Sequence, residues 1–296
     1  MRYAAILMSM LALAQNTLAP VERLIAAGKY QAAVEELERN TNRSFQWHLL
    51  ESKALEGIGD LPRAVSEVEA ALQLEPRNEA AHLQLGQIFL SHNTPLAALE
   101  IFTDAQQLFP QSFLIRLGRG LALKEIGRYD QSAVVLQEAL SQQPSSGIAF
   151  DGLATVLLQN SKFEEAQRVS ESYVSRNTAD YRGFFYLAAA REGLALRDDI
   201  SLELLKKSLE LNPDFAATHS LLGKILLRQN SLQAAALALE RSIALRPDHV
   251  PSHMTLATVY RKLGREADAR KEFQTIREIN EKERQPSPSL LYHRGK

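Results

Sequence analysis

Residues 79–112 read EAAHLQLGQIFLSHNTPLAALEIFTDAQQLFPQS, and this stretch decides the fold. In its first half the packing positions recur every three or four residues, as on one face of a helix: His82, Leu85, Gly86 and Phe89. Asn93 to Pro95 interrupt the pattern, and Ala98 and Phe102 resume it. Pro110 ends the second half because its ring and missing N–H cannot continue a helix. The stretch therefore predicts two helices joined by a tight turn.

The same pattern recurs along the chain with a period of 34 residues, apart from one extra residue before Pro213. The residue that ends the second helix is, in order, Pro76, Pro110, Pro144, Thr178, Pro213 and Pro247. The turn between the helices holds Gly59, Asn93, Gly127, Ser161, Asn230 and Gly264. The second helix carries a small residue at Ala64, Ala98, Ser132, Ala166, Ser201, Ala235 and Ala269. Three series in one register indicate an internal repeat, in which each helix pair buries its apolar face against its neighbours.

Three stretches carry a resemblance to a known family. They contain His82, Leu85, Gly86, Phe89, Ala98, Phe102 and Pro110, then His219, Leu222, Gly223, Leu226, Ala235, Leu239 and Pro247, then His253, Leu256, Ala257, Tyr260, Ala269 and Phe273. These residues resemble the tetratricopeptide repeat consensus, with histidine where tryptophan is commoner. The resemblance implies an all-α fold, a right-handed α-solenoid of antiparallel helix pairs (the TPR superhelix). It covers seven full repeats from Phe45 to Lys282, after a truncated repeat that contains Gly28 and Tyr30.

Glycine inside the predicted helices needs a reason, because it costs about 1 kcal/mol relative to alanine. We expect another helix to pass close to Gly86 and Gly223, with Ala98 and Ala235 as the small surface on that helix. The glycine or asparagine of each turn is expected to adopt a positive φ.

The sixth repeat, residues 181–215, departs from the pattern because it has the extra residue and no glycine in its turn. There we expect Asp198 or Asp199 to cap the second helix through its carboxylate.

The N-terminus has the pattern of a signal peptide. Arg2 precedes a short apolar run, residues 3–14, which ends in the small-x-small triplet Ala12-Leu13-Ala14. The run is too short to span a bilayer, and the alternative is an apolar first helix of the array. The predicted domains are a signal peptide at 1–14 (with cleavage after residue 19 as the alternative), a repeat array at 20–282 and a flexible C-terminal tail at 283–296. The signal predicts an exported protein, periplasmic or secreted.

Composition and motifs exclude several function classes. The net charge is −1, and basic residues alternate with acidic ones, which does not favour nucleic-acid binding. The sequence has no cysteine and no hydrolase, metalloprotease or nucleotide-binding motif. His48, His82, His219 and His253 occupy equivalent repeat positions, too far apart to share a metal, and are expected to be structural. We therefore predict no enzyme activity, no cofactor and no metal site.

The resemblance implies that the first helix of each repeat lines a concave groove that binds another protein or a peptide segment. The predicted partner-binding residues are Leu83, Gln87, Leu117, Leu121, Asp151, Thr155, Phe185, Tyr186, Lys224 and Arg228. Such a groove would be apolar in the middle and basic at one end, which suits an amphipathic helix or extended segment with an acidic flank. The alternative is that Leu83, Leu117, Leu121 and Phe185 are buried by curvature and touch no partner.

The predicted function is that of a scaffold or adaptor, with a role in envelope or secreted complex assembly suggested only by analogy. A second possibility is a structural repeat protein that self-associates through its terminal helices. Neither possibility includes an integral membrane span.

Overall fold

The computed structural model describes residues 18–39, 42–196 and 198–284. Over these residues every regular element is an α-helix, which confirms the predicted all-α fold class. The helices are α1 (18–26), α2 (Tyr30–Glu38), α3 (Phe45–Ile58), α4 (Leu61–Leu74), α5 (Glu79–Ser91), α6 (Pro95–Leu108), α7 (Phe113–Glu125), α8 (Tyr129–Gln142), α9 (Gly147–Gln159), α10 (Phe163–Arg176), α11 (Tyr181–Gly193), α12 (Asp198–Leu211), α13 (Ala216–Arg228), α14 (Leu232–Leu245), α15 (Val250–Lys262) and α16 (Glu266–Glu283).

The ends of the predicted domains fall mostly outside the described residues. The predicted signal peptide, 1–14, lies wholly outside them, and so does the predicted tail from residue 285 onward. The helix α16 continues through Glu283, one residue past the predicted end of the array. At the other end, α1 and α2 precede the seven full repeats, where the sequence predicts a truncated one.

The helices fall into two compact units. Unit 1 contains α1 to α7, up to residue 126, and unit 2 contains α8 to α16, from residue 127. In both units, consecutive helices are joined by short turns and pack against each other. Each unit has its own buried apolar core, with Trp47, Phe89 and Phe102 among the largest fully buried side chains of unit 1 and Phe150 and Leu205 among those of unit 2.

The turn residues adopt the conformation that the sequence predicts. Gly59, Gly127, Asn93 and Asn230 all have positive φ, between 55° and 85°. In the sixth repeat Ala195 takes this role with a φ of 52°, although a left-handed conformation strains a residue that has a Cβ. The helix α12 begins at Asp198, so the two aspartates predicted as caps lie inside its first turn. The negative charge of Asp199, the second residue of the helix, favours the helix because it lies near the positive end of the helix dipole.

The predicted close approaches occur at Gly86 and Gly223. A Cβ on Gly86 would overlap the ring of Phe102, and a Cβ on Gly223 would overlap Leu239. Ala98 and Ala235 are fully buried nearby, as small residues in the second helix should be. The close neighbour of each glycine is nevertheless the large side chain one turn further along the second helix, rather than the alanine.

The first helices of successive repeats form a continuous row in each unit. In unit 1, α3 contacts α5 and α5 contacts α7; in unit 2, α9, α11, α13 and α15 contact one another in that order. Within each unit, no contact of this kind joins two second helices over the described residues. Each unit therefore has one side on which the helices are close, the first-helix row, and one side on which they are spread apart.

Gly223→Leu is expected to destabilise the protein by at least about 1–3 kcal/mol, because the new side chain needs the space that Leu239 occupies. Urea unfolding followed by circular dichroism measures the loss. Ala234→Leu, at an exposed position of α14, is the control and should change stability by less than about 0.5 kcal/mol. Equal stability of the two variants would show that the α13–α14 crossing is not as close as described.

Candidate partner-binding surface

All ten predicted partner-binding residues lie on first helices. Leu83, Gln87, Leu117 and Leu121 are in unit 1, and the other six are in unit 2. The exposed residues are Gln87, Lys224 and Arg228, and the half-buried ones are Leu83, Leu121, Asp151, Thr155 and Phe185. Leu117 and Tyr186 are buried, each with 7% of its surface exposed. Leu117 therefore has little area to offer a partner, as the alternative interpretation expects for that residue.

In unit 2, α9 and α11 bring three of these residues into one hydrogen-bond network. The Tyr186 hydroxyl donates to Oδ1 of Asp151 at 2.8 Å and lies 2.7 Å from Oγ1 of Thr155. Burial and the charge of Asp151 raise the pKa of Tyr186 above its usual value, so the phenol stays neutral. Since the phenol donates to Asp151, the Thr155 hydroxyl donates to the phenol oxygen.

Aromatic side chains surround this network. Phe185 meets Tyr186 edge-on at 5.0 Å between ring centroids, and meets Phe215 at 5.1 Å. The Phe150 ring meets the Tyr186 ring edge-on, with 5.5 Å between the ring centroids. Phe185 remains half-exposed, so the surface presents an aromatic face beside a carboxylate. Such a pairing suits a partner that offers an apolar side chain next to a hydrogen-bond donor.

The basic end of the predicted groove is partly neutralised by Glu192, which the sequence analysis did not identify. Arg228 makes two hydrogen bonds to the Glu192 carboxylate, at 2.6 and 2.7 Å, and Lys224 lies 3.3 Å from it. Burial disfavours the charged form of Glu192, but Arg228 and Lys224 outweigh that effect and hold its pKa below the usual value. Glu192 therefore offsets part of the positive charge of Lys224 and Arg228. The sequence signal for this pairing is that Glu192 precedes Lys224 by 32 residues and Arg228 by 36, both close to one repeat.

In unit 1 the first-helix row is held together by a polar contact. The Gln84 side-chain amide donates to the backbone carbonyl of Leu49, 35 residues away, at 3.0 Å. Gln84 is buried, and Leu83 beside it packs against the apolar core of the unit. Of the predicted residues on α5, only Gln87 extends into solvent.

A buried carboxylate lies in the same unit. Glu51 occupies the repeat position that holds Leu85 one period later, and only 3% of its surface is exposed. Its Oε2 makes no hydrogen bond to any described residue, and Arg63 approaches Oε1 only to 3.5 Å. Burial, followed by the negative charge of Glu67, raises the pKa of Glu51 to about 7. A carboxylate at a leucine position was a signal that the sequence analysis could have used.

The four histidines that the sequence predicts to be structural each make hydrogen bonds nearby. The ring Nε2 of His82, His219 and His253 lies 2.8–3.0 Å from the carbonyl oxygen of the proline six residues earlier. His48 pairs through Nδ1 with Glu67 at 2.6 Å. The three bonds to proline fix the loop before the first helix to the helix itself, whereas the His48–Glu67 bond joins α3 to α4. Among the described residues, no three histidine, aspartate or glutamate side chains are arranged to hold a metal ion.

None of the helices described between residues 18 and 284 is both long and apolar enough to cross a bilayer.

Comparison with known proteins supports the repeat assignment. Two sequence models described as tetratricopeptide repeat match residues 49–113, 117–169, 199–250 and 226–286. A tetratricopeptide repeat protein from Parabacteroides merdae has a similar structure, with a TM-score of 0.66 and 16% identity. The similarity covers 83% of this chain and 98% of that one. The unmatched stretch before residue 199 contains α11 and the turn without glycine.

Curated relatives are longer than this chain. Human DnaJ homolog subfamily C member 3 is 24% identical over 231 residues, which cover 78% of this chain and 42% of that protein. Human protein O-mannosyl-transferase TMTC1 is 26% identical over 197 residues, which cover 65% of this chain and 22% of the relative. The chain thus spans less than half of the length of either relative.

Glu51→Gln is expected to stabilise the protein at pH 8.5 relative to wild type, and to have much less effect at pH 5. In the folded state the pKa of Glu51 is raised from 4.5 to about 7. The contribution of Glu51 to folding stability is therefore complete below pH 4.5, the pKa of the unfolded state, and is lost as the pH rises through 7. Glutamine stays neutral and avoids that loss, which is about 1–3 kcal/mol.

Thermal unfolding at both pH values tests this expectation. The exposed Glu100→Gln is the matched control and should show no such pH dependence. A Glu51→Gln effect that is the same at pH 5 and 8.5 would contradict the assignment of a raised pKa.

Proposed function

Because this chain belongs to the tetratricopeptide repeat family, whose repeats bind proteins, we propose that it is a scaffold or adaptor that binds a peptide or helix on its first-helix rows. The observation that supports this role is the surface at α9, α11 and α13. There the half-exposed Phe185 lies beside Asp151, whose Oδ2 has no hydrogen bond to any described residue. Lys224 extends further along the row with 60% of its side chain exposed.

The proposed partner segment follows from this surface. An apolar side chain would pack on Phe185, and a backbone or side-chain N–H would donate to Asp151. An acidic flank would complete the match at Lys224, whose side chain is exposed. The role is binding rather than catalysis: the match to the O-mannosyl-transferase covers about a fifth of that protein, and its named activity is not transferred to this chain.

The proposed function is tested by capturing partners from the native extract on the immobilised chain from residue 15 onward. Leu121→Asp and Lys224→Glu each alter the first-helix row of one unit, and Lys206→Glu changes an exposed lysine on the second helix α12 as the control. We expect a protein that is retained by wild type and by Lys206→Glu and is reduced at least about tenfold by one row variant.

Circular dichroism and the melting temperature of each variant establish that the loss is not caused by unfolding. Retention by all variants would place the binding site elsewhere on the array. If nothing were retained by any of them, self-association would become the better explanation, and light scattering at several concentrations would then measure it.

We propose that the protein is exported and acts in an envelope or secreted complex, on the basis of the signal-like residues 1–14. N-terminal sequencing of the protein isolated from its source is expected to start at residue 15, or else at residue 20. A variant that lacks residues 2–14 should remain inside the cell. Recovery of a mature protein that begins at residue 1 or 2 would contradict export by cleavage.

A further inference from the structure

A cleft lies on the other side of unit 2, between the second helices α8 and α10. It has a volume of about 300 Å³. It exists because α9 contacts both helices and keeps them apart, so that no second helix fills the gap. Leu140 and Pro144 form the apolar wall on the α8 side, and Val169 and Tyr173 form it on the α10 side.

Two arginines with free guanidinium groups border this cleft. Arg168 and Arg176 are exposed on α10, and neither makes an ion pair or hydrogen bond to any described residue. None of the residues that line the cleft is acidic. Elsewhere in unit 2, by contrast, Lys224 and Arg228 share Glu192, and Arg182 is paired with Asp180.

The repeat itself does not require arginine at this position. One period before Arg168 stands Val134, and the equivalent residues of the next two repeats are Glu203 and Leu237. The side chain of Arg168 therefore makes no contribution to packing that the other repeats share. Because packing does not require this arginine, its exposed charge is available to a ligand.

The wall of the cleft between the two arginines is rigid. The Tyr173 ring stacks on Phe150 at 3.8 Å, and its hydroxyl donates to Asp180 at 2.6 Å. Tyr173 is thus held by contacts on the inside of the repeat and shows only one edge to the cleft. A ligand would meet a preformed surface and would not have to order this side chain on binding.

The spacing of the arginines selects the ligand. They are eight residues apart on one helix, which separates their Cα atoms by about 12 Å. A single phosphate is too small to use both cations and the apolar wall between them. Two carboxylates four residues apart on an extended peptide are separated by about 13 Å, with apolar side chains available between them.

We propose that the cleft between α8 and α10 binds an extended acidic–apolar–acidic peptide segment of a partner protein, with one carboxylate on Arg168 and the other on Arg176. The apolar residues of the segment pack on Leu140, Pro144 and Val169. This site is separate from the first-helix row, so its existence does not depend on the function proposed for that row. It gives unit 2 a second surface for proteins, one that recognises charge.

The probe is a fluorescent pentapeptide with glutamate at both ends and leucine, valine and alanine between, blocked at both termini, and its binding to the full chain is measured by fluorescence anisotropy. Arg168→Gln combined with Arg176→Gln is expected to weaken binding at least about tenfold, and each single variant about threefold or more. Arg270→Gln combined with Arg277→Gln removes two exposed arginines of α16 and should leave binding unchanged. Added salt should weaken wild-type binding.

Two further probes separate the possible ligands. The same peptide with glutamine at both ends should bind at least about tenfold more weakly, and inorganic phosphate should not displace the glutamate peptide. Full displacement by phosphate would overturn the peptide assignment in favour of a small anion. Absence of peptide binding, or equal binding by the two double variants, would overturn the site itself.

Discussion

No helix pair of this protein can bury its apolar face alone, and the rest of the structure depends on that constraint. Each first helix must therefore lie against the first helices before and after it, within the limits of its unit. Within a repeat, the first helix approaches the second closely where glycine removes a side chain, as Gly223 of α13 does beneath Leu239 of α14. The contact between first helices leaves the second helices of each unit apart. The row that carries Phe185 and the cleft that carries Arg168 are two results of one packing rule.

The sequence predicted the features that recur and missed those that occur once. Periodicity located the helices and the positive-φ turns because every repeat needs the same backbone reversal. By contrast, the pKa shifts of Glu51 and Glu192 depend on particular charged neighbours. For Glu51 these include Glu67 and Arg63 on the second helix of its own repeat. For Glu192 they are Arg228 and Lys224, one repeat later. Spacing along one chain does not reveal which of several charged neighbours will pair.

The candidate binding surface illustrates that limit. The sequence placed Lys224 and Arg228 on the first-helix row correctly, but counted both as free charges. Glu192 removes much of their field, because its carboxylate is buried between them. On the other side of unit 2, Arg168 and Arg176 make no ion pair with any described residue. Charge counts from sequence therefore describe the composition of a repeat surface better than the electrostatic potential that a partner meets.

The row of first helices has a consequence for how the chain acquires its structure. Within each unit, a helix contacts only elements that are adjacent or next but one in the sequence. Loops that must close are therefore short, and chains of such low contact order fold quickly. A chain that emerges N-terminus first, from a ribosome or through a narrow pore, can complete one helix pair as soon as the next has appeared. No contact within a unit has to wait for a distant part of the sequence, so little apolar surface is exposed during synthesis.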